Sequence, residues 1–203
     1  MLVPDPVSLP ANNPSCLILK MTSHSSPDLE TLIGLFYQQP EQLGEFQEVS
    51  ADQMPPVEQS LLAHDHHMTV TVESFYSSLV DVDVISTDVS DEHYARKILL
   101  RRQSDNQVVQ FGIVRLDMRF LEQPVRDEII SQQTPLGRIL IEHDVLREVQ
   151  LVSLWKIRAG TDLAGFLDST PQAEVFGRTA LIYCNGEPVV ELLEIIAPVP
   201  DDQ

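Results

Sequence analysis

This chain predicts a single α+β domain built on a largely antiparallel sheet, and three observations carry the prediction. Strand-like runs come in neighbouring pairs joined by turn residues, as in Tyr94–Gln103 and Val108–Leu116 across Ser104-Asp105-Asn106. A second pair, Val175–Cys184 and Pro188–Ala197, flanks Asn185-Gly186, the strongest short hairpin signal in the chain. Helical stretches separate the pairs without the regular strand–helix–strand alternation of a parallel sheet, so helices are expected to cover one face. At 203 residues the chain suits one domain with a sizeable core.

Taken in order, residues 1–25 are rich in Pro, Asn and Ser and are expected to form an irregular arm, with the domain occupying 26–203. A first helix is predicted from Ser26 as N-cap with Pro27 at its first position, burying Leu29, Leu32, Ile33 and Phe36 at helical spacing. Gln38–Pro56 is polar and predicted to be loop-rich, and a short helix follows from Pro56 to about Ala63. Thr69–Tyr76 alternates weakly and is predicted as a strand. Val80–Ile85 alternates strictly, with Val80, Val82 and Val84 opposite Asp81 and Asp83. After the first hairpin come helices over Val125–Gln132 and Leu136–Glu142, the latter with Thr134 as N-cap and Pro135 behind it. Glu148–Ile157 returns to strand, Leu163–Leu167 gives one helical turn, and the Asn-Gly hairpin closes the chain.

Composition narrows the partners. A formal charge of −18 disfavours nucleic acid and anionic membrane, yet it leaves room for a small anion held in a locally positive pocket. No apolar run approaches the ~20 residues of a membrane span, and the first residues lack the pattern of a secretory signal, so a cytoplasmic protein is expected. Cys16 and Cys184 lie far apart and read as reduced thiols.

Chemistry concentrates in a few places. Tyr94–Arg102 holds four of the thirteen Lys and Arg residues, and period two puts Arg96 on one face with Tyr94, Ile98 and Leu100. An arginine in that setting must either pair or bind an anion. Glu194 shares a face with Val190, Leu192 and Ile196, while Glu191 shares the other with Val189, Leu193 and Ile195. Parity leaves open which glutamate points inward, and Glu194 can serve acid–base chemistry or simply pair with Arg96 or Arg178. The cluster His64-Asp65-His66-His67 has metal-ligand chemistry, but adjacent histidines diverge and a solvated helix-end turn is the plainer reading, so no metal is assigned. Neither a glycine-rich phosphate loop nor a nucleophile elbow occurs.

Four blocks, LLAHDHHMT (61–69), HYARKILLRR (93–102), TPLGRIL (134–140) and FGRTALIYCNGEPVVELLEIIAP (176–198), together resemble the chorismate pyruvate-lyase family, collinearly over about residues 58–198. The resemblance implies an antiparallel sheet with helices packed against it and flaps over a buried ligand. It implies conversion of chorismate to 4-hydroxybenzoate and pyruvate without a cofactor, at the entry to ubiquinone or plastoquinone biosynthesis, by a monomer. It further implies that Arg96 binds the ring carboxylate, that backbone groups of Met68 and Leu136 face that carboxylate, and that Glu194 lies near the ring oxygen. The ending Glu194 to Pro198 selects Glu194 over Glu191. Arg138 and Arg178 are secondary candidates for the side-chain carboxylate. The chain departs from the pattern where Ile113, not arginine, follows Gly112, with Arg115 two positions on, and in the long acidic loop Asp81–Glu92. The other reading is a small aromatic-acid sensor of the same fold. Such sensors sit behind a basic winged-helix domain in bacterial regulators, and the first ~60 residues here contain no basic recognition helix.

Overall fold

The computed structural model describes residues 27–90, 93–145 and 147–199. The expected arm, the Ser26 cap and Cys16 lie outside these residues. Seven strands, β1 (Gly44–Val49), β2 (Val80–Val89), β3 (His93–Arg102), β4 (Val108–Asp117), β5 (Arg147–Ala159), β6 (Glu174–Cys184) and β7 (Glu187–Ile196), form one sheet. Their order is β1-β5-β6-β7-β4-β3-β2, and every neighbouring pair is antiparallel. Among the described residues six α-helices accompany it: α1 (Leu29–Gly34), α2 (Pro56–Leu62), α3 (Met68–Tyr76), α4 (Gln123–Ser131), α5 (Leu136–Glu142) and α6 (Thr161–Phe166).

The central strands carry apolar residues on both faces because both faces are covered. On one face Leu62, Met68 and Val72 of α2 and α3 pack on Ile98, Leu100, Phe176 and Ile196. Beside them Val125, Ile129, Leu136 and Ile139 of α4 and α5 pack on Val114, Ile182 and Leu192. The expected helical cover is therefore present, and the opposite face gains a second layer. There Leu32 and Ile33 of α1 and Leu163 of α6 close over Leu99, Phe111, Ile113, Leu193 and Ile195. In the same layer Lys97 lies 4.6 Å from the centre of the Tyr37 ring, so a mid-strand ammonium is held by aromatic faces.

Both hairpins form where turn chemistry places them, and Asn185 and Gly186 have φ of 55° and 88°. Several expectations are corrected. Thr69–Tyr76 belongs to a helix: Met68, Val72, Phe75 and Tyr76 fall at i, i+4, i+7 and i+8, a helical stripe that the Thr/Val alternation concealed. Gln38–Pro56 is not merely loop, because its centre forms the edge strand β1, whose apolar content is little more than Phe46 and Val49. Thr134 does not cap α5; Pro135 is the residue at that boundary and no side chain supplies the cap. The acidic stretch after Asp81 is also mainly strand, since β2 runs on to Val89. At the first helix Asp28 is the N-cap, accepting from the Thr31 N–H at 3.2 Å.

Gly160 marks where the chain before β1 crosses the end of β5, and its N–H donates to the Leu43 carbonyl at 2.9 Å. A Cβ there would sit 2.3 Å from the carbonyl oxygens of both Glu41 and Gln42. Gly160→Ala is expected to lower unfolding free energy by about 2–3 kcal/mol in urea titration, because backbone cannot yield as a flexible side chain does. An unchanged midpoint would mean that this crossing relaxes freely.

Candidate functional site

The register of the central strands aligns the polar residues in rows on the face beneath α3 and α5. Ile98, Gly112, Glu194 and Arg178 are direct cross-strand partners and make one row. Arg96, Val114, Leu192 and Ala180 make the next row. Leu100, Gln110 and Ile196 lie in the row on the other side. Above them the first residues of α3 and α5 form a roof, and the space between is lined by Ile98, Gly112, Leu192, Glu194, Met68 and Leu136 among others. That space measures about 490 Å³ including its open mouth. Its enclosed part admits water centres through only about 30 Å³, room for a water or two.

The roof depends on a close approach. A Cβ at Gly137 would meet the Thr69 hydroxyl at 3.0 Å, so any larger residue would require the Thr69 side chain to give way by a few tenths of an ångström. Helix geometry leaves the first amides of both, at Met68 and Thr69 and at Leu136 and Gly137, without intrahelical acceptors. Glu73 of α3 accepts from Arg138 of α5 and from the Val80 N–H at 3.1 Å, tying the roof to β2.

Arg96 is fully buried at 0% exposure, and none of its three guanidinium nitrogens has a hydrogen-bond partner among the described residues. Burial accordingly pulls its pKa below the ordinary arginine value, partly opposed by Tyr94. Arg96 is not itself among the side chains lining the enclosed space; its strand neighbour Ile98 and its cross-strand neighbour Val114 are.

Arg178 is the contrasting case. Equally buried, it donates from Nε to Glu194 Oε2 at 2.7 Å and from its two terminal nitrogens to the carbonyls of His64 at 2.8 Å and His66 at 2.9 Å. One guanidinium thereby neutralises Glu194 and pins the loop between α2 and α3. Glu194, not Glu191, faces the chamber, whereas Glu191 pairs with Arg115 on the opposite face. The departure at Ile113 and Arg115 therefore leaves the lining unaltered. Arg138 is taken up by Glu73, and Arg96 does not pair with Glu194.

The histidine cluster forms this pinned loop, and among the described residues no group of three or more His, Cys, Asp or Glu is placed to hold a metal. His67 closes one wall, its Nε2 accepting from Arg147 Nε at 2.8 Å, which requires a neutral ring. Burial, then Arg147, push its pKa down to about 4. Sequence reasoning passed over Gln110, which is 2% exposed and lines the chamber. A lone amide within VVQFGIV, in phase with Gly112, was the available signal.

No family model and no curated protein matches the chain. Among solved structures, PhnF from Mycobacterium smegmatis matches at 10% identity and a TM-score of 0.46, over 68% of this chain and 69% of that one. Its effector domain alone matches at 10% identity and 0.46, over 64% and 88%. A GntR-family transcriptional regulator from Enterococcus faecalis matches at 12% identity and 0.42, over 57% and 92%. At such scores these likenesses assign this chain no ligand and no activity.

Two outcomes test the geometry. Arg178→Met leaves a buried carboxylate without its cation and is expected to cost about 3–5 kcal/mol, part of which Glu194→Gln on the same background restores. Strict additivity in urea titrations would show that the two do not act as a pair. His67 has a folded pKa near 4 against an ordinary 6.5, so its contribution is fully present above pH 6.5 and lost as pH falls towards 4. Stability measured across that window should fall less steeply in His67→Gln.

Proposed function

We propose that the chamber takes up a small six-membered ring bearing a carboxylate, and that the reaction it serves is elimination of pyruvate from chorismate to give 4-hydroxybenzoate, for quinone biosynthesis. The observation that carries this reading is Arg96, a buried cation with no hydrogen-bond partner among the described residues. A guanidinium of this kind is stabilised by a planar anion that can accept two parallel hydrogen bonds, which is what a carboxylate offers. The helix-start amides at Met68 and Leu136, which have no intrahelical acceptor, suit the same charge. Glu194, two strands and one row away, suits the oxygen side of the ring, and aliphatic side chains between them suit its faces.

In this reading the ether bond to the enolpyruvyl group breaks and a ring proton leaves, so that a cyclohexadiene becomes an arene. The thermodynamic drive belongs to the substrate. The protein holds the dianion in reactive geometry, keeps water out and offers positive charge to the departing enolate. Arg96 anchors; Glu194, kept in place by Arg178, orients the oxygen side and is the group placed to move a proton.

One observation favours a second reading, an aromatic-acid binding protein without turnover. Chorismate carries two carboxylates, and Arg138, Arg147 and Arg178 already hold Glu73, His67 and Glu194. Incubation of the purified protein with chorismate, followed by absorbance and chromatography, separates the two. Formation of 4-hydroxybenzoate supports the lyase. Binding of 4-hydroxybenzoate without any conversion supports the binder, and neither binding nor conversion removes both.

Arg96→Met is expected to act in opposite directions on function and stability. Affinity for a ring carboxylate should fall about 100-fold in calorimetry, the worth of a hydrogen-bonded charge. The ligand-free protein should become more stable by roughly 1–4 kcal/mol, because an uncompensated buried charge has been removed. Retention of wild-type affinity would end the anchoring role.

A further inference from the structure

We infer that Gln110 is a specificity-determining residue of this chamber: its side-chain carbonyl accepts the proton of the ring hydroxyl while its amide nitrogen stays on Glu194. The inference rests on the aromatic-acid reading above and adds a residue that the family resemblance does not supply.

Gln110 projects from β4 one row from Gly112 and Glu194, among Ile98, Leu100 and other aliphatic side chains of the chamber. Its Nε2 lies 3.5 Å from Glu194 Oε1, a long contact at the limit of a hydrogen bond. The orientation of the amide is nonetheless fixed by chemistry: reversing it would set a carbonyl oxygen against a carboxylate oxygen, acceptor against acceptor. Oε1 is therefore turned away from Glu194. It is buried and has no donor among the described residues. An amide carbonyl cut off from water and left without a donor is a standing free-energy cost, and a ligand that brings a donor to it removes that cost.

Glu194 is differently placed. Oε2 already accepts from Arg178, and Oε1 faces the Gln110 amide. With a ring hydroxyl in place the bonds would run in one direction, from hydroxyl to Gln110 to Glu194, with Arg178 holding the far carboxylate oxygen. Each bond in such a chain polarises the next. Arg96 then selects for the acid group, and Gln110 selects for a donor at the far end of the ring. A ring of the same size with no donor there leaves Oε1 unpaired, the kind of loss on which polar discrimination depends.

The test compares 4-hydroxybenzoate with 4-fluorobenzoate, close in size but unable to donate, by calorimetry on wild-type protein and on Gln110→Leu. Leucine fills a similar volume and removes the polar group, and circular dichroism verifies that the variant is folded. Wild type is expected to prefer the hydroxy acid roughly tenfold, the worth of one hydrogen bond. Gln110→Leu is expected to bind both acids alike, with affinity for 4-fluorobenzoate unchanged. Persistence of the preference in Gln110→Leu would assign the hydroxyl to Glu194 alone and overturn this inference, leaving the aromatic-acid reading intact. If wild type binds neither acid, that reading fails and this one with it.

Discussion

One uncompensated charge organises this molecule. Arg96 lies in the middle of β3, beneath helices and without a hydrogen-bond partner among the described residues, in a place where an ion pair would ordinarily be required. The rest of the domain makes that arrangement tolerable. The flanking strands β2 and β4 fix the backbone of β3, and a second helical layer behind the sheet lets residues on both faces be apolar. The cost of a solitary guanidinium is thus borne by a rigid frame, which is what the proposed binding role would require.

Arg178 shows how the same chemistry serves structure when every donor is used. Its carboxylate partner and its carbonyl partners come from β7 and from the loop ahead of α3, so one side chain joins the chamber floor to its roof. Two equally buried arginines on one face of one sheet, one saturated and one bare, divide the labour. The first builds the compartment, and the second is the group that the proposed reading assigns to a carboxylate.

Much of the fold was legible in the chain because turn chemistry and strict alternation are local signals. The hairpins around Asn106 and Gly186, and helix α5, fell where the residues placed them. Helix α3 was not legible because β-branched Thr and Val alternate across the very residues that also carry a helical stripe, and packing against α5 decided between the two patterns. Strand β1 escaped notice because an edge strand needs few apolar residues. At the site, Arg96 was readable from one cation among aliphatics in phase. Glu194 needed the sheet register to be told from Glu191, and the lone amide of Gln110, in phase with Gly112, took its meaning only from its place beside Glu194 in the chamber.

The nearness of Gly137 to Thr69 leaves the compartment with a consequence for timing. As it stands the interior offers room for little more than a water or two, so the ring proposed above would need the starts of α3 and α5 to move apart. Parting them stretches the link from Glu73 to Arg138. A ring held beneath them would be released by the same parting, so its dwell time would depend on that helix contact as well as on the charges below.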